Sequence, residues 1–262
     1  HCGTEGVAIP TLVSRFVAAF IIIKLLLKDK WSLHLERTYR FNPDWSMIRK
    51  ILSVGIPNGL ENSMFQLGKV LVLSLVSTFG TYAIAANAVS NVITLFSILP
   101  GQAICLAVTT VIARCVGAGD YEQAKYYNKK LILLTHIGMA ITIFIVFITL
   151  PFILKVYNLS EAASEATRHI IWFHGFCAIL IWAESFTLPA TFRACGDAKA
   201  CMIISTVSMW IFRVGASYIL GKNLGLGVFG VWVAMIIDWA FRSLLFGIRY
   251  FSGKWKKHAL VS

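Results

Sequence analysis

The sequence predicts an all-α polytopic membrane protein, a helical bundle with seven spans. Hydrophobic residues make up 58% of its 262 residues and charged residues only 14%, whereas soluble domains contain about 25% charged residues. The mean hydropathy is +0.74. Seven apolar stretches are each long enough to cross a hydrocarbon core, which takes about 20 residues. This composition excludes an ordinary soluble enzyme.

The predicted spans are separated by short connectors, except after the first one. They cover residues 6–27, 51–79, 83–113, 131–154, 169–192, 201–220 and 228–250. The longer segment 28–50 is mixed polar and aromatic, and Asn42-Pro43-Asp44 in it indicates a turn followed by a helix start. We interpret this segment as a connector at the membrane surface.

Lysine and arginine predict the orientation of the bundle. Seventeen of them lie in segment 24–50, in the third and fifth connectors and in the C-terminal tail, and three lie in the connectors on the other side. Because cytoplasmic loops carry the excess of basic residues, we expect a multi-pass protein of the cell membrane with a cytoplasmic C-terminus. The same bias accounts for the net charge of +12 without a nucleic-acid partner.

The second span has an unusual polar content for a membrane helix. Pro57 frees a backbone carbonyl and favours a kink, and Glu61 follows one turn later. A carboxylate inside a spanning helix is a candidate functional group. The alternative is that Glu61 pairs with a neighbouring cation as a structural bridge. Next to it runs a polar stripe at helical spacing, which favours a helix that lines a cavity: Asn58, Asn62, Gln66 and Lys69.

The third span carries a second polar stripe, which includes Asn87 and Asn91. Such a stripe either lines a cavity or joins helices through hydrogen bonds, and both interpretations remain open. Pro100-Gly101 predicts a break in this span. Gly117 predicts its end and Asp120 the N-cap of the next helix.

Three acids are predicted near the middle of the membrane: Glu61, Glu184 and Asp238. Arg213 is predicted at similar depth and is expected to neutralise one of them. For Asp238, the alternative is an intrahelical pair with Arg242 at i+4. For Glu184, Pro189 indicates an opened backbone, and a site and a structural bridge remain equally open. Charged groups that converge at the midplane are typical of a transporter site.

Several other chemistries are not indicated by the sequence. The six cysteines are scattered without CxxC spacing, so neither a zinc site nor a disulfide framework is predicted. His136, His169 and His174 lack ligand spacing. The GxGxxG pattern at 225–230 opens a membrane helix instead of following a strand, so it is not a dinucleotide site. We therefore expect no enzyme activity, no metal and no cofactor.

The two ends of the chain resemble each other. Gly3 and Gly6 open the first span as Gly227 and Gly230 open the last, and both spans lead into basic segments. If the first span is the last helix of one repeat, the remaining six are a complete second repeat. The chain is then expected to begin inside a longer protein, with five helices upstream.

Four groups of residues resemble one family of transporters. They are 43–45 with 53–61, 85–89 with 99–101 and 116–120, 192–197, and 227–239 with Arg242. They are similar to the seventh helix, the eighth helix and its loop, the loop after the tenth helix, and the twelfth helix of the multidrug and toxic compound extrusion (MATE) transporters. The resemblance covers the whole chain, and the combined spacing carries it.

The resemblance implies twelve helices in two six-helix lobes, with export driven by inward flow of Na+ or H+. Residues 1–28 then form the last helix of a truncated N-terminal lobe, 29–50 the cytoplasmic interlobe connector and 51–262 the C-terminal lobe. Some members carry a carboxylate where this chain has Phe65, and others an aspartate where it has Trp182. The nearest acids here are Glu61 and Glu184.

The sequence therefore predicts a secondary active exporter of drugs or metabolites, with small organic cations as substrates and Na+ or H+ as the coupling ion. Its expected partners are the lipid bilayer and the missing N-terminal lobe. Two alternatives are a lipid-linked saccharide flippase of related architecture and a non-transporting seven-helix membrane protein.

Overall fold

The computed structural model describes residues 5–27, 43–253 and 255. Helices account for nearly all of these residues, and there is no strand among them. The chain divides into two compact units, His1–Trp45 and Ser46–Ser262. The all-α prediction is confirmed.

The first unit contains one described helix, α1 (Glu5–Leu26). Its side chains are exposed from Ile9 to Leu25, and its aliphatic and aromatic residues include Phe16 and Phe20. An all-round apolar helix with no packed face in its own unit is suited to lipid or to a helical partner. The predicted connector 29–50 falls largely on residues 28–42, which lie outside the described part of the chain.

The second unit is a bundle of six long helices. They are α2 (Trp45–Ser77), α3 (Thr81–Gly117), α4 (Tyr121–Tyr157), α5 (Glu161–Ala194), α6 (Ala198–Asn223) and α7 (Gly227–Phe251). Very short turns join them, as in an antiparallel bundle. Helix α2 begins at Trp45, so residues 45–50, which were expected in the connector, are helical.

Helix ends follow the local signals of the sequence. Helix α3 ends at Gly117, and the side chain of Asp120 caps α4 by accepting a hydrogen bond from the Gln123 backbone N–H at 2.9 Å. Both predictions are confirmed. The break predicted at Pro100-Gly101 is wrong, because α3 runs through both residues. Proline removes one backbone hydrogen bond, and packing against neighbouring helices tolerates that loss in a membrane helix.

Two helices contain π-helical turns. In α5 the turn covers Ala183–Thr187, just before Pro189, and in α6 such turns cover Met209–Gly215 and Tyr218–Asn223. Proline has no N–H to continue the α-helical ladder, which explains the opened backbone expected beside Glu184. Such turns are frequent at functional sites.

Small residues allow close approach between helices. A Cβ on Gly101 of α3 would overlap the ring of Trp182 on α5, and a Cβ on Gly230 of α7 would lie 2.8 Å from the Leu220 backbone of α6. Trp182 therefore fills the bundle core.

Six of the described helices are long and apolar enough to cross a membrane, namely α1 and α3–α7. Helix α2 has the length, with 33 residues, but its polar and charged residues lower its hydropathy. Large hydrophobic side chains such as Phe144, Phe152 and Leu180 are exposed on the outer faces, as expected for contact with lipid. The seven-span prediction is thus consistent with the structure.

Candidate transport site

Helix α2 presents two different faces. Its buried face packs on the bundle through Pro57, Glu61, Gly68, Leu75 and Val76. The flank beside that face is exposed and carries the α2 polar stripe, which we define as Asn58, Asn62, Gln66 and Lys69. Polar side chains are disfavoured against lipid, so this stripe suits a water-filled cavity or a second protein surface.

Glu61 forms an ion pair with Arg193 at the end of α5, in which one guanidinium nitrogen contacts both carboxylate oxygens. Arg193 Nη2 donates to Glu61 Oε1 at 2.8 Å and to Oε2 at 2.9 Å. The Glu61 side chain is 7% exposed and that of Arg193 is 26% exposed. Charge-assisted hydrogen bonds of this kind are about twice as strong as neutral ones. The pair therefore ties α2 to α5 beside the polar stripe.

The polar stripe itself has few contacts to other helices. Asn62 Nδ2 donates to the Asn58 backbone carbonyl at 2.9 Å, within α2. Gln66 and Lys69 are exposed. The amide and ammonium groups on this face are therefore available to a solute or to another surface.

The predicted stripe on α3 joins helices. Asn87 Oδ1 accepts a hydrogen bond from Trp232 Nε1 of α7 at 3.1 Å, and the Ser97 carbonyl accepts one from Thr142 Oγ1 of α4 at 2.9 Å. Asn91 is exposed and its side chain bonds to the Asn87 carbonyl. Of the two interpretations left open, helix association accounts for Asn87, whereas Asn91 is free to face a cavity.

Asp238 and Arg242 form a buried polar cluster between α6 and α7. Ser208 Oγ of α6 donates to Asp238 Oδ1 at 2.5 Å, and Arg242 Nη2 donates to Ser205 Oγ at 3.1 Å. The predicted i+4 pair exists but is loose, with 4.0 Å between Arg242 Nη1 and Asp238 Oδ2. The two serines give each partner one hydrogen bond, whereas Asp238 Oδ2 and the Nε and Nη1 atoms of Arg242 are buried without a hydrogen-bond partner among the described residues.

Arg213 lies close to this cluster without a described salt bridge to it. Its guanidinium lies 5.8 Å from the centre of the Phe65 ring, and that of Arg242 lies 5.1 Å from the same ring. Phe65 of α2 thus packs against two cations. We retain as a hypothesis that Arg213 helps to neutralise Asp238.

Glu184 has a partner that the sequence did not indicate. His136 of α4 places Nε2 at 2.9 Å from Glu184 Oε1 and Nδ1 at 2.7 Å from the Ile179 carbonyl oxygen. Forty-eight positions separate the two side chains along the chain. No spacing rule relates them, and the local signal in the sequence was Pro189, which indicated an opened backbone beside Glu184.

The three acids do not form one cluster. Glu61 faces Arg193, Glu184 faces His136, and Asp238 faces the serine pair and Arg242. Arg193 is in the last turn of α5, nine positions after Glu184. The three acids, which were predicted at a common depth in the membrane, therefore take part in three separate contacts between helices. Among the described residues, no group of three or more potential ligands is placed to hold a metal ion.

The turn after α5 is held by a further ion pair. Arg249 Nε and Nη2 donate to the two carboxylate oxygens of Asp197 at 2.6 and 2.9 Å. Burial, together with the charge of Asp197, raises the pKa of the nearby Cys195 thiol to about 12. This cysteine is buried, so it is a structural residue and not a reactive one.

Comparisons with known proteins agree on one family. The family model described as MatE matches residues 57–219, more than half of the chain. The chain is 27% identical to the Thermotoga maritima protein named "Probable multidrug resistance protein NorM", over 99% of this chain and 55% of that protein. It is 25% identical to the Bacillus subtilis protein named "Probable multidrug resistance protein YoeA", over 99% and 56%. The chain thus spans about half the length of these relatives.

The fold is also found among solved structures. A multidrug resistance MATE family transporter of the MOP superfamily, in an outward-facing conformation, aligns with a TM-score of 0.84. The alignment covers 96% of this chain and 57% of that one, at 19% identity. At this identity the likeness establishes the fold.

Proposed function

This chain belongs to the MatE family, and we propose from that membership that it forms the C-terminal lobe of a cation-coupled exporter of small organic molecules. In this proposal α1 is the last helix of an N-terminal lobe, and α2–α7 are the C-terminal lobe. Na+ or H+ flows inward while the substrate leaves the cell. A second lobe is required, because alternating access needs two lobes that move against each other.

The observation that carries this proposal is the arrangement of α2. One face holds Glu61 against Arg193, and the flank beside it exposes the polar stripe. A spanning helix with a polar face suits the wall of a cavity between two lobes. The pathway residues that we propose are the α2 polar stripe with Glu61, and behind it Asn87, Asn91, Glu184, Arg213 and Asp238.

Glu61 is the residue that we connect most directly to transport. Its carboxylate already has a cation, the Arg193 guanidinium, at hydrogen-bonding distance. A second cation, whether a coupling ion or a cationic substrate, binds there only by competing with this guanidinium. Release of Arg193 frees α2 from the end of α5, so cation binding at Glu61 would be coupled to movement of α2.

Efflux measurements on Glu61→Gln test this proposal in the protein that contains both lobes. The substitution keeps the shape and one acceptor oxygen but removes the charge. We expect cation-driven efflux of a fluorescent organic cation to be lost while the protein remains at normal levels in the membrane. Glu122→Gln, at an exposed i,i+3 pair on α4, is the matched control and should transport normally.

The structural-bridge interpretation predicts a different result. A Glu61→Gln protein that is produced at low level, but whose surviving molecules transport normally, would show that the pair only holds α2 in place. Efflux by the 262-residue chain alone would contradict the requirement for a second lobe.

A further inference from the structure

The contact between His136 and Glu184 fixes where protons must be. His136 Nδ1 is 2.7 Å from the Ile179 carbonyl oxygen. A carbonyl oxygen can only accept a hydrogen bond, so Nδ1 carries a hydrogen. The other ring nitrogen, Nε2, faces Glu184 Oε1 at 2.9 Å.

This second contact requires one further proton. Either an imidazolium N–H donates to a carboxylate, or a carboxyl O–H donates to the neutral ring. Without that proton, two lone-pair atoms would face each other at hydrogen-bonding distance and repel. The pair therefore holds its observed geometry only while it shares one proton between Nε2 and Oε1.

The surroundings suit a proton that exchanges. The side chains of His136 and Glu184 are 27% and 31% exposed, so neither is sealed in the core. Glu184 lies in the π-helical turn Ala183–Thr187, where the helix ladder is already opened. Glu184 Oε2 is buried and has no hydrogen-bond partner among the described residues.

Few other charges act on the pair. Glu184 is the charged group that acts on His136. Titratable groups on the packed elements and on α4 itself include Cys105 of α3, Lys129 and Lys130 of α4, Arg193 of α5, and Asp238 and Arg242 of α7. Cys105 donates to Thr187, the two lysines are exposed about two turns away, and the remaining three belong to the contacts described above. The bound proton thus depends mainly on His136 and Glu184.

We propose that His136 and Glu184 form a proton-binding site that joins α4 to the π-helical turn of α5 and carries the coupling proton of the exporter. Loss of the proton breaks the contact and releases the turn. The coupling part rests on the proposed function, whereas the proton site stands on the geometry alone. Glu61 is then left to the organic cation, so substrate and proton occupy separate places.

Ring nitrogen chemical shifts test the proton site without any transport. Histidine-labelled protein with both lobes, reconstituted in lipid, is titrated from about pH 5 to about pH 9, which brackets an ordinary histidine titration. In the wild type we expect Nδ1 to stay protonated throughout and Nε2 to lose its proton within this range. In Glu184→Gln the amide N–H₂ donates to Nε2, so the contact survives but Nε2 carries no proton at any pH near neutral.

His174 is the internal reference in the same samples. Its ring lies 5.5 Å from Trp232 and 5.3 Å from Trp239, and it has no carboxylate partner among the described residues. We expect Glu184→Gln to leave its signal unchanged. A wild-type His136 that is protonated on Nε2 alone, or that titrates identically in Glu184→Gln, would overturn the proton site.

Transport measurements test the coupling. In vesicles with the wild-type protein, a pH gradient should drive uptake of an organic cation. In Glu184→Gln the pH gradient should no longer drive uptake, but the cation should still bind. Gradient-driven transport that persists in Glu184→Gln would overturn the coupling role. If the wild type moves no solute at all, the proposed function fails, while the nuclear resonance titration still decides the proton site.

Discussion

The ion pair between Glu61 and Arg193 should contribute measurably to the stability of the lobe. Its two partners lie 132 positions apart in the chain and join α2 to α5. Removing one partner of a buried pair costs about 3–5 kcal/mol, because the other charge remains buried and unpaired. Glu61 fits that case at 7% exposure, but the Arg193 side chain is 26% exposed and can turn partly toward water.

We therefore expect Glu61→Gln to lower the free energy of unfolding by about 2 kcal/mol, below the fully buried range. The measurement is reversible unfolding of the purified two-lobe protein in mixed detergent and SDS. Arg193→Gln should cost at least as much, because it leaves unpaired a carboxylate that is more deeply buried than the guanidinium. The double substitution should cost less than the sum, by about 1–3 kcal/mol of coupling energy.

A matched pair on the surface provides the control. Lys125 Nζ lies 2.6 Å from Glu122 Oε1, with side chains 39% and 79% exposed, and an exposed i,i+3 pair contributes about 0.5 kcal/mol or less. Costs for Glu61→Gln and Arg193→Gln that add within about 0.5 kcal/mol would refute the reasoning. In that case solvent would stabilise Glu61 and Arg193 separately, and their short distance would contribute no coupling energy.

Four further results are expected. Gly101→Ala should destabilise the lobe by about 1–3 kcal/mol, because the added Cβ overlaps the Trp182 ring. Gly55 has open space around it, so Gly55→Ala should be neutral or stabilising. Equal effects of the two substitutions in the same unfolding assay would contradict this. Ser208→Ala should cost about 1–3 kcal/mol by leaving a buried carboxylate without its donor, and a cost below about 0.5 kcal/mol would show that solvent replaces the hydroxyl. Burial holds the pKa of the Cys195 thiol at about 12, so its thiolate is scarce at neutral pH. Alkylation of Cys195 in the folded protein should therefore be slow at pH 7 and rise only toward strongly alkaline pH. Rapid alkylation of Cys195 at pH 7 would refute this. An impermeant maleimide added outside intact cells should not label Ser262→Cys if the C-terminus is cytoplasmic, and external labelling would reverse the predicted orientation.

Local signals in the sequence were sufficient for the existence of the helices, although α2, α4 and α5 begin six to ten residues before the predicted spans. Apolar length predicted each span, and Asp120 predicted a cap that the structure contains, because a cap bonds to a backbone N–H only three residues away. The same local logic was wrong at Pro100. One missing backbone hydrogen bond is a small loss for a 37-residue helix packed along its neighbours, and the sequence pattern does not report that packing.

In the candidate site, too, the sequence indicated some features and only the tertiary structure identified the others. That Glu61, Glu184 and Asp238 are unusual in spanning helices was evident from the sequence, because a carboxylate in an apolar stretch needs a partner. Arg242 was found as the partner of Asp238 because it is one helical turn away. Only the tertiary structure identified Arg193 beside Glu61 and His136 beside Glu184. These partners come from other helices, and their positions depend on how α2, α4 and α5 pack, which no periodicity within a single helix determines.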